Sequence, residues 1–244
     1  LTISEMYIRH CKPGEPGIEI AGDYTGTVTL LFKGINWIQT DWAPAIQKTG
    51  NNSTLILQGD MNSVDGYNLN VVVSPTEDNY STIRPAAIGG CASGADSGNI
   101  IIESGTYHLE STAGGAVIGG ASPGGKGSNI TISGGIVEAE GNVLSGDNEE
   151  CAKIRGAVIG GGGNANGENI KITGGEVTAE VHGKSGYKSG AAIGGGCNGE
   201  AVGIEISGGE VYATSSDQYC GCAIGSGSKT SATGWSAGTV VNIS

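Results

Sequence analysis

The chain has 244 residues, 47 of them glycine and only 5% aromatic, so long helices are opposed and any core must be aliphatic. Twelve Lys and Arg against 24 Asp and Glu leave a formal net charge of -12, which offers no basic stripe to neutralise phosphates and excludes nucleic acid and anionic membranes as expected partners. No segment approaches the 18 or so consecutive apolar residues of a transmembrane helix, and this length is ordinary for a single all-β domain.

In chain order, the first strand signals are Gly17-Ile18-Glu19-Ile20, Thr27 to Phe32, Ser53 to Leu57 and Asn70 to Val73. Ala43-Pro44-Ala45-Ile46 and Arg84 to Ile88 read as variants of one short strand. From residue 86 an A-x-I-G motif recurs. It places Ile88, Ile118, Ile159, Ile193 and Ile224 at intervals of 30, 41, 34 and 31 residues. A twelve-residue block follows each of the first four motifs, starting at Asn99, Asn129, Asn169 and Gly203, and the four blocks align without a gap. A repeat of this period means stacked supersecondary units.

Within the blocks the apolar positions alternate. Ile100, Ile130, Ile170 and Ile204 form one inward column, and Ile102, Ile132, Ile172 and Ile206 the next. After a Gly-Gly step the phase resets to Tyr107, Val137, Val177 and Val211, then Leu109, Ala139, Ala179 and Ala213. Period-two patterning marks strands with one buried face, and the glycine pairs supply the positive φ of a corner. The expected fold is all-β: a right-handed parallel β-helix, a solenoid with three short strands per rung. It is read as a single domain over 1–244, with irregular rungs in 1–85, regular repeats in 86–227 and a C-terminal cap in 228–244. Asn99, Asn129 and Asn169 are expected to form a rung-to-rung amide ladder.

Six cysteines show no zinc-finger spacing. Cys222 replaces the first alanine of A-x-I-G and is expected to be a buried thiol. Cys91 and Cys197 follow equivalent motifs three rungs apart, ~14 Å, too far for a disulfide.

Chemistry is sought in the outward columns. Glu110, Glu140 and Glu180 end three successive units, and Glu176 and Glu210 pair in another column. Like charges directly opposite in a sheet repel, so the first column is a candidate calcium site, calcium favouring hard oxygen ligands. Carboxylates on adjacent rungs also meet glycosidase spacing, but every such ladder does, and no acid and base stand in distinct surroundings. Trp37, Trp42 and Tyr212 are the candidate carbohydrate-binding platforms, because an aromatic ring stacks on an apolar sugar face; Tyr187 is a further outward candidate, and Trp235 a candidate cap. Asp60 to Gly66 resembles a calcium loop but misses the EF-hand spacing, and the glycine runs lack the Lys of a phosphate loop. His108 is placed outward beside Glu138; no nucleophile-elbow motif accompanies any histidine.

The repeated A-x-I-G-G-G followed by I-x-I-S/T-G-G-x-V-x-A resembles the glycine-rich parallel β-helix "carbohydrate-binding domain-containing" surface proteins of Gram-positive gut and cellulolytic bacteria. The likeness spans residues 86–227 and extends in weaker form over 17–85. It implies a secreted or cell-surface location and, as in some relatives, acidic-polysaccharide binding with calcium. The matching positions are structural, so no functional residue carries over; the acidic loop Asp147 to Glu150 and the six cysteines depart from the simple repeat. The expected function is a non-catalytic module recognising an extended polysaccharide or glycan. A structural spacer or host-binding adhesin, and a polysaccharide lyase or glycoside hydrolase, are the alternatives. The chain opens at Leu1 without a basic or apolar leader, as expected of a piece of a larger surface protein.

Overall fold

A computed structural model describes residues 1–9, 14–60, 66–74, 84–141, 155–183, 188–216, 219–229 and 241–243. Among these the chain is all-β, with no helix, and every ladder between its strands is parallel. Strands labelled in chain order fall into three families.

The first family is β1 (Thr2–Ser4), β4 (Gly26–Lys33), β7 (Ser53–Gly59), β10 (Asn99–Ile102) and β13 (Gly127–Ile132). The second is β2 (Tyr7–Arg9), β5 (Asn36–Thr40), β8 (Leu69–Val73), β11 (Thr106–Ser111) and β14 (Ile136–Gly141). The long strands β16 (Gly167–Val181) and β19 (Ile204–Ser215) continue both families without a break, joined by β18 (Ala201–Val202) and β21 (Val241–Ile243). The third family is a separate seven-stranded sheet of two-residue strands: β3 (Ile18–Glu19), β6 (Ile46–Gln47), β9 (Ile88–Gly89), β12 (Ile118–Gly119), β15 (Ile159–Gly160), β17 (Ile193–Gly194) and β20 (Ile224–Gly225). Through β13, each strand pairs with the strands three before and three after it in sequence, so the chain passes the three families in turn.

Register follows the alternation read from sequence. Ile102 pairs with Ile132, Ile132 with Ile172 and Ile172 with Ile206, and all four side chains are buried. Tyr107, Val137 and Val177 form the next buried column, and Leu109, Ala139 and Ala179 another; on the last strand Val211 and Ala213 are only partly covered. The irregular early residues join the same sheets. Ile46 pairs with Ile88, and Leu55 with Ile100, each in phase with the later repeats.

Two kinds of residue make the corners. Gly135, Gly175 and Gly209, the second glycine of each pair, have φ of 86°, 84° and 82°. The glycine of A-x-I-G also has positive φ, and a Cβ on Gly89, Gly119, Gly160 or Gly194 would collide with the carbonyl oxygen of the next motif's glycine. The motif therefore records a close backbone approach, not a ligand loop. Asn129 and Asn169 adopt the same left-handed backbone, and the expected ladder forms. Asn169 Nδ2 donates to Asn129 Oδ1 at 3.2 Å, and Asn129 Nδ2 to Asn99 Oδ1 at 3.0 Å. A second ladder joins Asn198 Nδ2 to Asn164 Oδ1 at 2.8 Å. Lys48 is fully buried beside a short turn; its ammonium donates to the Gly50 carbonyl at 2.5 Å, and burial pushes its pKa down.

One expectation is corrected. Cys222 is exposed, not buried. In A-x-I-G the second residue and the isoleucine belong to the central core: Ala87 with Ile88, Val117 with Ile118, Val158 with Ile159, Ala192 with Ile193. The first alanine lies outside that core and is buried because the chain stacks on both sides of it. Cys222 belongs to the motif of β20, at the end of its sheet, with no further strand of that sheet beyond it among the described residues. Cys91 and Cys197 are unbonded thiols, as expected from their separation. Cys11, Cys151, His10, Tyr187, Trp235, the 61–65 part of the calcium-like loop, the acidic loop 147–150 and most of the 228–244 cap lie outside the described residues.

Candidate functional site

The second strand family carries the chemistry on its outward face. Alternation turns every other side chain of β2, β5, β8, β11, β14, β16 and β19 away from the core. Parallel in-register pairing then lines these residues up across the strands, ~4.8 Å apart. One line runs Tyr7, Trp37, Asn70, His108, Glu138, Thr178, Tyr212. The adjacent line runs Arg9, Gln39, Val72, Glu110, Glu140, Glu180, Thr214. On the other side of the first line, Glu176 pairs with Glu210.

Trp37 and Tyr212 thus share one line, separated by five inter-strand steps, or ~24 Å. Trp37 is half-buried, and its indole nitrogen is shielded from solvent without a hydrogen-bond partner. Tyr212 is exposed and donates its phenol to Glu210 Oε2 at 3.1 Å; that bond and the carboxylate charge raise its pKa. Trp42 is not in the line. It sits in the turn after β5 with φ of 51°, half-buried, its indole nitrogen likewise shielded and unpartnered.

Glu110, Glu140 and Glu180 are opposite one another in the expected column. Two imidazoles stand beside this column. His108 Nε2 lies 3.1 Å from Glu110, and its Nδ1 lies 3.6 Å from Glu138. His182 Nε2 lies 3.1 Å from Glu140 and 3.6 Å from Glu180. Of these approaches only that of His108 Nε2 to Glu110 is a hydrogen bond; His108 Nδ1 and His182 Nε2 are shielded without a hydrogen-bond partner, and both imidazoles sit beside the column that the sequence reading assigned to calcium. Among the described residues no group of three or more His, Cys, Asp or Glu side chains is arranged to hold a metal ion.

Tyr67 completes the centre of the face. Its ring packs against His108, centroids 5.0 Å apart and tilted 30°, and its phenol donates to Glu138 Oε2 at 2.5 Å. The bond to Glu138, with some desolvation, raises the Tyr67 pKa.

Sequence reasoning missed Tyr7, Tyr67, Asn70 and His182. Tyr7-Ile8-Arg9 and Trp37-Ile38-Gln39 share the alternation of Asn70-Val71-Val72, a signal that could have placed Tyr7 and Asn70. Tyr67 and His182 lie just outside strands, where alternation says nothing.

No family model matches this chain, and no curated protein and no solved structure is significantly similar to it.

Proposed function

We propose that this chain is a parallel β-solenoid, one continuous coil, whose outward second face binds an extended polysaccharide without cleaving it. We read the coil as right-handed, the hand that parallel crossovers almost always take. The observation that carries the function is the straight line from Trp37 to Tyr212. It sets aromatic rings at the two ends of a polar ladder, and a linear array of repeating groups matches a linear polymer better than a compact ligand. Aromatic rings supply stacking surface, and the carboxylates between them take hydroxyl donors.

Like surroundings along the ladder favour binding over catalysis. Glu110, Glu138, Glu140 and Glu180 each stand near an imidazole, so none is set apart as acid while another serves as base. Such a module belongs outside the cell, at its surface or secreted, as part of a larger protein, and the charge of -12 opposes nucleic acid as a partner.

Isothermal titration of the chain against a panel of plant, mucin and bacterial polysaccharides, in calcium and in chelator, tests this reading. Binding is expected, with Trp37→Ala and Tyr212→Ala each raising Kd by roughly three- to tenfold. Affinity that vanishes in chelator would assign calcium to the Glu110–Glu140–Glu180 column. No binding to any member of the panel would sink the glycan reading in favour of a spacer or adhesin. Release of new reducing ends or of unsaturated sugars would make the chain an enzyme.

A further inference from the structure

We propose that the polymer this face accepts carries free ammonium groups: a linear chain of amino sugars in which the amines are not acetylated. The inference rests on the polysaccharide reading above and names the ligand's chemistry.

The charge on the face is one-sided. The outward residues of β11, β14, β16 and β19 include Glu110, Glu138, Glu140, Glu176, Glu180 and Glu210. Among the described residues of this family's strands the outward cations are Arg9, on β2 at the far edge, and Lys171, on the part of β16 that continues the first family, where it pairs with Glu205 at 3.2 Å. A carboxylate accepts hydrogen bonds and donates none, whereas an ammonium donates three and carries the opposite charge. Carboxylates recurring at every step of a ladder, ~4.8 Å apart, are complementary to a polymer that bears one cation on each unit. A uronic-acid polymer would set its own carboxylates against these. An N-acetylated polymer would offer one amide donor per unit and no charge.

The contacts within the face point the same way. His108 Nε2 hydrogen-bonds Glu110 at 3.1 Å, and His108 Nδ1 and His182 Nε2 lie within 4 Å of Glu138, Glu140 and Glu180 without bonding them, so these three carboxylates stand beside nitrogen groups that leave them able to accept from a ligand's ammonium donors. Trp37 and Tyr212 at the two ends give the sugar rings apolar surfaces. That separates a sugar polymer from a merely basic one: a lysine-rich peptide meets the charge but has no rings to stack.

The experiment is titration of the whole chain with four oligomers of equal length: glucosamine, N-acetylglucosamine, galacturonate (with and without calcium) and lysine. The glucosamine oligomer is expected to bind at least about tenfold tighter than the other three, with affinity falling as salt rises. Glu110→Gln and Glu180→Gln should each weaken it severalfold, and Trp37→Ala should weaken it too; circular dichroism confirms that each variant is folded. Tighter binding of the acetylated or galacturonate oligomer overturns the ammonium assignment and leaves the glycan face standing. Equal binding of oligolysine, indifferent to Trp37→Ala, reduces the face to a simple cation exchanger and overturns it as well. No binding by these oligomers or by the wider panel removes both readings.

Discussion

The carbonyl oxygen of Gly194 occupies the space that a Cβ on Gly160 would need. Gly160 also has φ of 140°, a conformation L side chains rarely adopt. Both neighbours in this contact are backbone, so neither can swing aside. Gly160→Ala is therefore expected to destabilise the chain by at least ~2 kcal/mol from backbone strain alone. Gly50→Ala is the control: it has φ of 71° but meets nothing within 4 Å. Urea denaturation of the two variants checks this; equal losses would show that the close stacking of the third sheet contributes nothing beyond φ.

Ile172 is fully buried and pairs with Ile132 on one side and Ile206 on the other. Ile172→Ala should cost about 2–5 kcal/mol, because the cavity is shared with both neighbours and can collapse only in part. Ile206→Ala should cost less, since Ile206 retains 8% exposure near the end of the stack. A larger loss at 206 than at 172 would contradict the order of the column.

Tyr107 is buried, and its phenol donates to the Ser104 carbonyl at 2.7 Å. Burial raises its pKa well above the ordinary 10.0. The folded state thus holds this proton more tightly than the unfolded state does. The stability it contributes is complete below about pH 10 and is lost as pH rises from there toward the folded pKa. Alkaline unfolding should be cooperative, with the Tyr107 phenolate appearing at 295 nm only as the chain opens. Stability of Tyr107→Phe should fall less steeply above about pH 10; parallel curves for variant and parent would remove Tyr107 from the alkaline transition.

Cys222 and Cys197 should separate cleanly in thiol labelling. Cys222 is exposed, whereas Cys197 is fully buried and burial raises its pKa. The thiolate is the reactive form, so the native chain should label quickly at Cys222 and slowly at Cys197, the two converging in denaturant. Mass mapping of labelled peptides reads the result. Slow labelling at Cys222 would mean that the end of the β20 sheet is covered.

Local pattern carried most of the fold. The alternation of Ile100, Ile102, Val137 and Ala139 specifies which face of each strand is buried, and a gapless block repeated at a near-constant period specifies like-on-like stacking. That is why the Ile102–Ile132–Ile172–Ile206 column, the Asn99–Asn129–Asn169 ladder and the Glu110–Glu140–Glu180 column could all be read from residue order. A residue's depth in the stack is not a local property. Cys222 occupies the same motif position as Ala191, yet Ala191 has chain packed on both sides and Cys222 stands at the sheet's end. Sequence equivalence therefore misjudged its burial.

The candidate site divides along the same line. Sequence alone offered Trp37, Trp42 and Tyr212 as candidate outward aromatics and showed that carboxylates recur at outward positions, because a two-residue period decides the side of a strand. Only the tertiary structure decided that Trp37 and Tyr212 share one line, that His108 and His182 stand beside the carboxylates, and that Tyr67 closes over Glu138. Those relations join residues on different passes of the chain, including turn residues with no periodicity. They exist only once parallel pairing has set the register between passes.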